Sequence, residues 1–251
     1  MSNFLLTLCF LFFLGSGMGW VLELFYRRIA GGKWVNPGFL YGPYLPIYGL
    51  GLVVLFLLCR IDLSFIPFRW LQIVSLLLIM CLSMTAIEYV GGIIFIKGMG
   101  IKLWDYSNRP GNIQGVICPL FSAIWTAIGA FYYFVLDGFF YNSVSWFINN
   151  LAFSFVVGFF FGVFTVDLVK TMGIGITIRK FAKKYNIVVR YEKLKGEIQD
   201  HLKSIKEKTH FLAPFRMPEP LENFLKKHFP KTKGENPDEE TGTEEPAPPE
   251  E

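Results

Sequence analysis

The sequence predicts an all-α fold: a polytopic membrane bundle of about five transmembrane helices, followed by a cytoplasmic tail that begins helical and ends disordered. Three observations predict it. Hydrophobic residues make up 53% of the 251 and charged residues 18%, against about 25% charged in a soluble domain. The charge is unevenly spread, because residues 1–169 hold only 8 of the 24 Lys and Arg and 6 of the 20 Asp and Glu. Five charge-free stretches remain in that body: Met1–Leu22, Trp34–Cys59, Trp70–Ile87, Pro110–Leu136 and Gly138–Val166. Each is near or above the ~18–20 residues that cross a bilayer. A single soluble core is thereby excluded.

The spans are expected at about 4–25, 40–59, 70–94, 114–136 and 146–168. The first is expected to stay as a helix. Met1-Ser2-Asn3 supplies no basic leader, and no A-x-A-like exit precedes Trp20, so a cleaved signal peptide fits poorly. Before the second span, Val35 to Gly49 carries prolines at 37, 43 and 46 and glycines at 38, 42 and 49. Irregular backbone at a membrane entrance is tolerated only where it is buried in protein or lines a cavity, so a tight loop or re-entrant turn is expected there. The third span carries Glu88 amid the small neighbours Cys81, Thr85, Gly91 and Gly92. A second polar connection, Trp104 to Gly115, leads into the fourth span, on which Gly115, Cys118, Ser122 and Gly129 share a face. The fifth ends at Asp167, read as an interfacial residue three before Lys170.

Orientation follows from Lys and Arg near the span ends, which cytoplasmic flanks retain in excess. Arg27, Arg28 and Lys33, then Lys97, Lys102 and Arg109, then Lys170, Arg179, Lys180, Lys183 and Lys184 all fall on one side. The opposite side has only Arg60 and Arg69. The N-terminus is therefore expected outside the cell membrane and the C-terminus in the cytoplasm. Three regions result: a transmembrane domain over 1–170, a basic helical segment over 171–233 and an acidic, disordered tail over 234–251. Arg190 to Lys208 scans as a solvated helix with charge pairs at helical spacing. Residues 235–251 contain eight acids and no base, a composition that does not bury a core.

The polar residues of the apolar body mark a candidate site. A carboxylate at a bilayer centre costs about 2.5–3.5 kcal/mol on insertion scales, so such acids usually face a bundle interior or a wet cavity. Glu88 lies nine residues before Lys97, roughly 13 Å along a helix. Glu23 shares a face with Gly15 and Gly19, and pairing with Arg27 at i+4 accounts for it equally well. By the topology above, Glu23, Glu88 and both polar connections gather at the inner ends of the spans. One cytoplasm-facing pocket is expected, built from Glu23, Glu88, Asp105 and Arg109. Asn36, Tyr41, Tyr44 and Tyr48 join it from the first connection, and Trp104, Tyr106, Ser107, Asn112 and Ser122 from the second. A faint repeat relates Leu22-Glu23, Lys33-Trp34 and Asn36-Pro37-Gly38 to Ile87-Glu88, Lys102, Trp104 and Asn108 to Gly111, the kind of duplication transporters carry.

The motifs Gly19-Trp20 with Glu23, Asn36 to Gly49, Glu88-Tyr89 and Trp104-Asp105-Tyr106-Ser107 with Asn112, Gly115 and Cys118 resemble the CmpB-type ABC-transporter (type IV) family of bacterial membrane proteins. The resemblance covers roughly residues 10–170. Pro37 and Val116 stand where that family often has arginine, which weakens an anion-binding role there. The resemblance implies a permease-like integral membrane protein. ATP hydrolysis would belong to a separate chain, since no G-x-x-x-x-G-K-[ST] occurs in this one.

The leading expectation is a transport-associated subunit in which Glu23 and Glu88 carry a cation or proton and Arg109 with the helix starts contacts anions. A membrane enzyme acting on a lipid headgroup, with Glu88 or Asp105 as base and Arg109 for phosphate, is the alternative. A non-catalytic scaffold that recruits a partner through its tail is a third. No catalytic residue is assigned. Cys9, Cys59, Cys81 and Cys118 lack metal-ligand spacing, and all three histidines lie in the tail, so neither a metal nor a cofactor is expected. The partners expected are the lipid bilayer, a separate ATPase subunit and further copies of the chain; nucleic acid is not among them.

Overall fold

The computed structural model describes residues 2–32, 34–185, 187–205 and 218–229. The acidic tail expected over 234–251 and the end of the basic segment lie outside the described residues. Helices dominate: α1 (Ser2–Gly31), α2 (Pro46–Leu58), α3 (Arg69–Met99), α4 (Pro119–Phe131), α5 (Asp137–Asn149), α6 (Ser154–Lys184), α7 (Tyr191–Ser204) and α8 (Leu221–His228). Two strands of two residues, β1 (Ile101–Lys102) and β2 (Val189–Arg190), pair in parallel. Four helical stretches are long and apolar enough to cross a membrane: Asn3–Ile29, Arg69–Met99, Pro119–Asn149 and Leu151–Lys184.

Two boundaries differ from the sequence expectation. The break expected after residue 136 is absent, because α4 passes through a π-helical turn at Tyr132–Leu136 into α5 without interruption. Asp137 does not stop the helix since Arg60 pairs with it, and the Arg60 guanidinium also lies 3.9 Å from the centre of the Phe56 ring. The last span accordingly begins at Leu151, with a short 3-10 turn leading into α6 at Ser154, rather than near residue 146, and it runs on to Lys184.

The second crossing is discontinuous. Residues 34–45 turn back from the end of α1 as irregular backbone, and the Leu45 N–H donates to the Ser16 carbonyl at 2.9 Å, midway along α1. Only from there does α2 run as a helix. Pro46 supplies the preset φ and needs no donor at that first turn. Thirteen residues give about 20 Å of helix, short of the ~30 Å hydrocarbon thickness, so α2 alone is about two thirds of a span. Lipid tails give helices no hydrophobic reason to associate, and close packing of small residues does that work. A Cβ at Gly15 would lie 2.8 Å from Leu52 Cβ and 3.0 Å from Gly49 Cα, and one at Gly49 would lie 2.7 Å from the Phe12 carbonyl oxygen. Hydrogen at those positions lets α1 and α2 touch backbone to backbone.

One core cluster joins α1, α2, α3, α5 and α6 through Phe10, Leu11, Leu55, Met80, Tyr132, Phe140, Phe147 and Val157, with Phe10 and Phe147 stacked at 4.3 Å. The second lies at the opposite end, where α1 and α3 finish, called here the basic end. There Ile101, Ile178, Val189, Tyr191, Leu194, Ile198, Leu202 and Phe224 pack together. The helix expected from Arg190 onward is α7, and only one of its faces is solvated. Leu194, Ile198 and Leu202 on the other are buried, each contributing about 1.5–3 kcal/mol of apolar burial. Gly100 ends α3 in the left-handed region (φ 67°) and turns the chain into β1, and Ala182 fills the place of its missing side chain.

Candidate functional site

The basic end holds the buried acids. Glu23 Oε1 pairs with Arg27 Nε at 3.1 Å, and its Oε2 accepts the Tyr48 hydroxyl at 3.0 Å. Tyr48 sits in the first turn of α2, and its ring occupies the space that a side chain at Gly19 would need. The same ring lies 5.8 Å from Trp125 of α4. Beyond Trp125 is Glu88, 3% exposed, whose Oε1 accepts the Tyr106 hydroxyl at 3.0 Å. Tyr106 in turn stacks on Phe121 at 4.2 Å. Glu88 Oε2 and the Trp125 indole N–H lie side by side, close enough for the indole to favour the carboxylate, but among the described residues their geometry falls short of a formed hydrogen bond. Below them Thr85 Oγ1 donates to Ser122 Oγ at 3.0 Å. Glu23, Tyr48, Trp125, Glu88 and Tyr106 therefore form one continuous row across α1, α2, α4 and α3, with Ser122 beside it.

The other sequence-predicted residues fold the two connections. Asn36, buried, accepts from the Trp20 indole N–H at 2.9 Å and the Gly38 N–H at 3.2 Å, and donates to the Leu40 carbonyl at 3.3 Å. In the second connection Asp105 pairs with Lys102 at 2.8 Å and Arg190 at 2.9 Å and accepts the Ser107 N–H at 3.1 Å. Burial raises the Asp105 carboxyl, but the Lys102 ammonium and the two Ser107 donors outweigh it and hold the group at about 2. Asn112 donates to the Ser107 and Arg109 carbonyls and accepts the Gly115 N–H at 3.0 Å. The Trp104 indole N–H donates to the Val116 carbonyl at 2.8 Å, in room left by Gly92. Arg109 is exposed and makes no ion pair among the described residues. Both connections end alike, in an extended residue followed by proline at the start of α2 or α4, with no side-chain cap.

Tyr41 and Tyr44 face elsewhere. Their partner is Asp167, 8% exposed and inside the bundle rather than at an interface. Asp167 Oδ1 accepts the Tyr41 N–H at 3.1 Å and the Thr171 hydroxyl at 3.0 Å, while Oδ2 accepts the Gly42 N–H at 2.7 Å and the Tyr44 hydroxyl. The sequence signal for this anchor was faint: an acid, then a threonine one turn later on the same helix.

α7 covers the first connection. Its Tyr191 hydroxyl donates to the Gly38 carbonyl at 2.8 Å, its Lys195 ammonium donates to the Asn36 carbonyl, and its Glu192 pairs at 2.9 Å with Arg27, which already holds Glu23. Lys195 is 2% exposed. Burial pulls its ammonium down to about 8, with Glu192 raising it and Arg27 lowering it further. The undocked side chain titrates near ~10.4, so it binds more protons than the docked one between those values. Docking of α7 is then expected to strengthen as pH rises from about 8 towards ~10.4, and to carry the full cost of the buried charge below that window. Hydrogen exchange of the α7 amides, corrected for intrinsic base catalysis, checks this. Protection should grow across the window in the native chain and stay flat in Lys195→Met.

The family model described as "Putative ABC-transporter type IV" matches residues 10–172, from α1 through the Asp167 anchor. The chain belongs to this family. It is a multi-pass membrane protein, and the family match covers every residue of the acid row and of both connections, while α7 and α8 fall outside it. No curated protein and no solved structure matches the chain.

Proposed function

We propose that this family member is the membrane-embedded subunit of a transport system, with a cytoplasm-facing pocket in which Glu88 and Glu23 carry a proton or small cation. One observation carries the reading. Glu88 is 3% exposed, and its Oε2 lies beside the Trp125 N–H without a formed hydrogen bond among the described residues. An unmet buried acceptor of this kind costs about 1–3 kcal/mol, so a proton or small cation on the Glu88 carboxylate is favoured, while the Trp125 N–H can be met only by an acceptor such as water or the carboxylate itself. The row through Tyr48 to Glu23 and Arg27 provides a second acid nearer the basic end. The excess of Lys and Arg at that end supports placing it, and the C-terminus, in the cytoplasm of the cell membrane. Energy supply from a separate ATPase chain fits the family and the lack of a phosphate-binding loop here. The lipid-headgroup enzyme has less support, because Asp105 is held by Lys102 and Arg190.

Proton entry into phosphatidylcholine vesicles containing the purified full chain, driven by a potassium diffusion potential and read by an internal pH dye, tests the proposal. Entry faster than in protein-free vesicles is expected. Equal rates with correctly inserted protein overturn the proton-carrying role of Glu88 and Glu23.

A further inference from the structure

Beside the Asp167 anchor, and apart from the acid row, a lateral groove of about 990 Å³ opens between residues 41–44 and α6. Its walls are Tyr44, Phe159, Val163 and Val166, and Lys170 stands at one end. Such a volume is at the upper limit of an ordinary ligand pocket. Phe159, Val163 and Val166 are exposed, which on a membrane helix means exposure to lipid. Gly162 keeps the groove deep, since a Cβ there would meet nothing within 4 Å.

Lys170 decides the occupant. It lies sixteen residues along α6 from Ser154, about 24 Å of helix. That brings it close to the far edge of a ~30 Å hydrocarbon layer, where headgroups begin. It makes no ion pair among the described residues. Asp167, one turn away, has both oxygens taken by four internal donors and so offers Lys170 no free lone pair in a direct bridge. A second copy of the chain docked through the same α6 face about a two-fold axis would bring two such lysines together, which like charge opposes. A free anion would use Lys170 and leave the apolar walls empty.

We propose that this groove is a binding site for one phospholipid with a net negative headgroup, its phosphate at Lys170 and an acyl chain along Phe159, Gly162 and Val163. The test is native mass spectrometry of the purified full chain released from nanodiscs of mixed phosphatidylglycerol and phosphatidylcholine. The native protein should retain phosphatidylglycerol preferentially. Lys170→Gln should lower that preference by about fivefold, the share of one lysine beside an anionic headgroup. Gly162→Leu, at a position where a Cβ meets nothing within 4 Å, should lower retention of both lipids. Lys97→Gln, at the basic end of α3, should change neither. Retention without preference, or a preference unchanged in Lys170→Gln, overturns the proposal. A loss of dimer mass in Gly162→Leu with lipid retention intact would do the same and assign the groove to a second copy.

Discussion

Replacing Asp167 with alanine is expected to destabilise the bundle by about 3–5 kcal/mol, the largest stability effect of any single polar truncation in the membrane body. The carboxylate accepts two backbone N–H groups, from Tyr41 and Gly42, and two hydroxyls, from Tyr44 and Thr171. Removing it strands four donors where hydrocarbon or protein surrounds them. An unmet buried donor costs about 1–3 kcal/mol, and the hydroxyls recover part of that by rotating. Tyr44 also packs edge-on against Phe160 and Phe164 at 5.5 Å, so its displacement loosens α6 as well. Asparagine should rescue little, because its amide nitrogen puts a donor where two donors already point. Unfolding of the detergent-solubilised protein by added denaturing detergent measures the loss, with Asp62→Ala as an exposed control. A transition unmoved in Asp167→Ala would mean that residues 41–44 hold their course without the carboxylate.

That anchor shows where the sequence was readable and where it was not. The apolar stretches of α1, α3 and α6 and the irregular entry to α2 are local properties of composition and of proline and glycine placement. They could be read one segment at a time. So could the Glu23 to Arg27 pair and the small-residue face of Gly15 and Gly19, which α2 does occupy. The partners of Tyr41 and Tyr44 could not, since Asp167 is more than 120 residues away and no spacing rule links them. The same holds for α7. Tyr191, Leu194, Ile198 and Leu202 mark a helical stripe that local periodicity contains, but its docking site on Asn36 and Gly38 depends on β1 and β2 pairing across 88 residues of chain. The continuous α4 to α5 helix was hidden for a related reason: Asp137 looks like a terminus until Arg60 is placed beside it.

The shortness of α2 ties this architecture to the acids. Because residues 34–45 return as irregular backbone to the depth of Ser16, the first turn of α2 opens inside the bundle and sets Tyr48 against Glu23. The start of α4 repeats the arrangement, with Cys118 and Pro119 leading to Phe121, Ser122 and Trp125 around Glu88 and Tyr106. Uncapped helix N-termini present N–H groups and a partial positive charge. Each therefore favours the ionised form of whatever acid lies near, while the surrounding apolar side chains favour the neutral one.

Glu88→Gln is accordingly expected to return proton entry in the vesicle assay to the rate of protein-free vesicles, while the protein still folds. Glutamine matches the shape of glutamate and keeps an oxygen where Oε1 accepts the Tyr106 hydroxyl. What it lacks is a site that gains and loses a proton. Its amide nitrogen at the Oε2 position also points a donor towards the Trp125 N–H, which removes the acceptor from the gap. Infrared difference spectra across a pH titration give an independent reading: a carboxylic-acid C=O stretch present in the native protein, absent in Glu88→Gln and displaced in Tyr106→Phe, which takes away the donor to Oε1. Glu23→Gln should act more weakly, because Arg27 keeps its partner Glu192 and Glu88 is untouched. If the band and the flux both survive in Glu88→Gln, the ionisable centre of this bundle lies elsewhere, and the unpartnered Trp125 and Glu88 atoms are packing accidents of the row rather than its working gap.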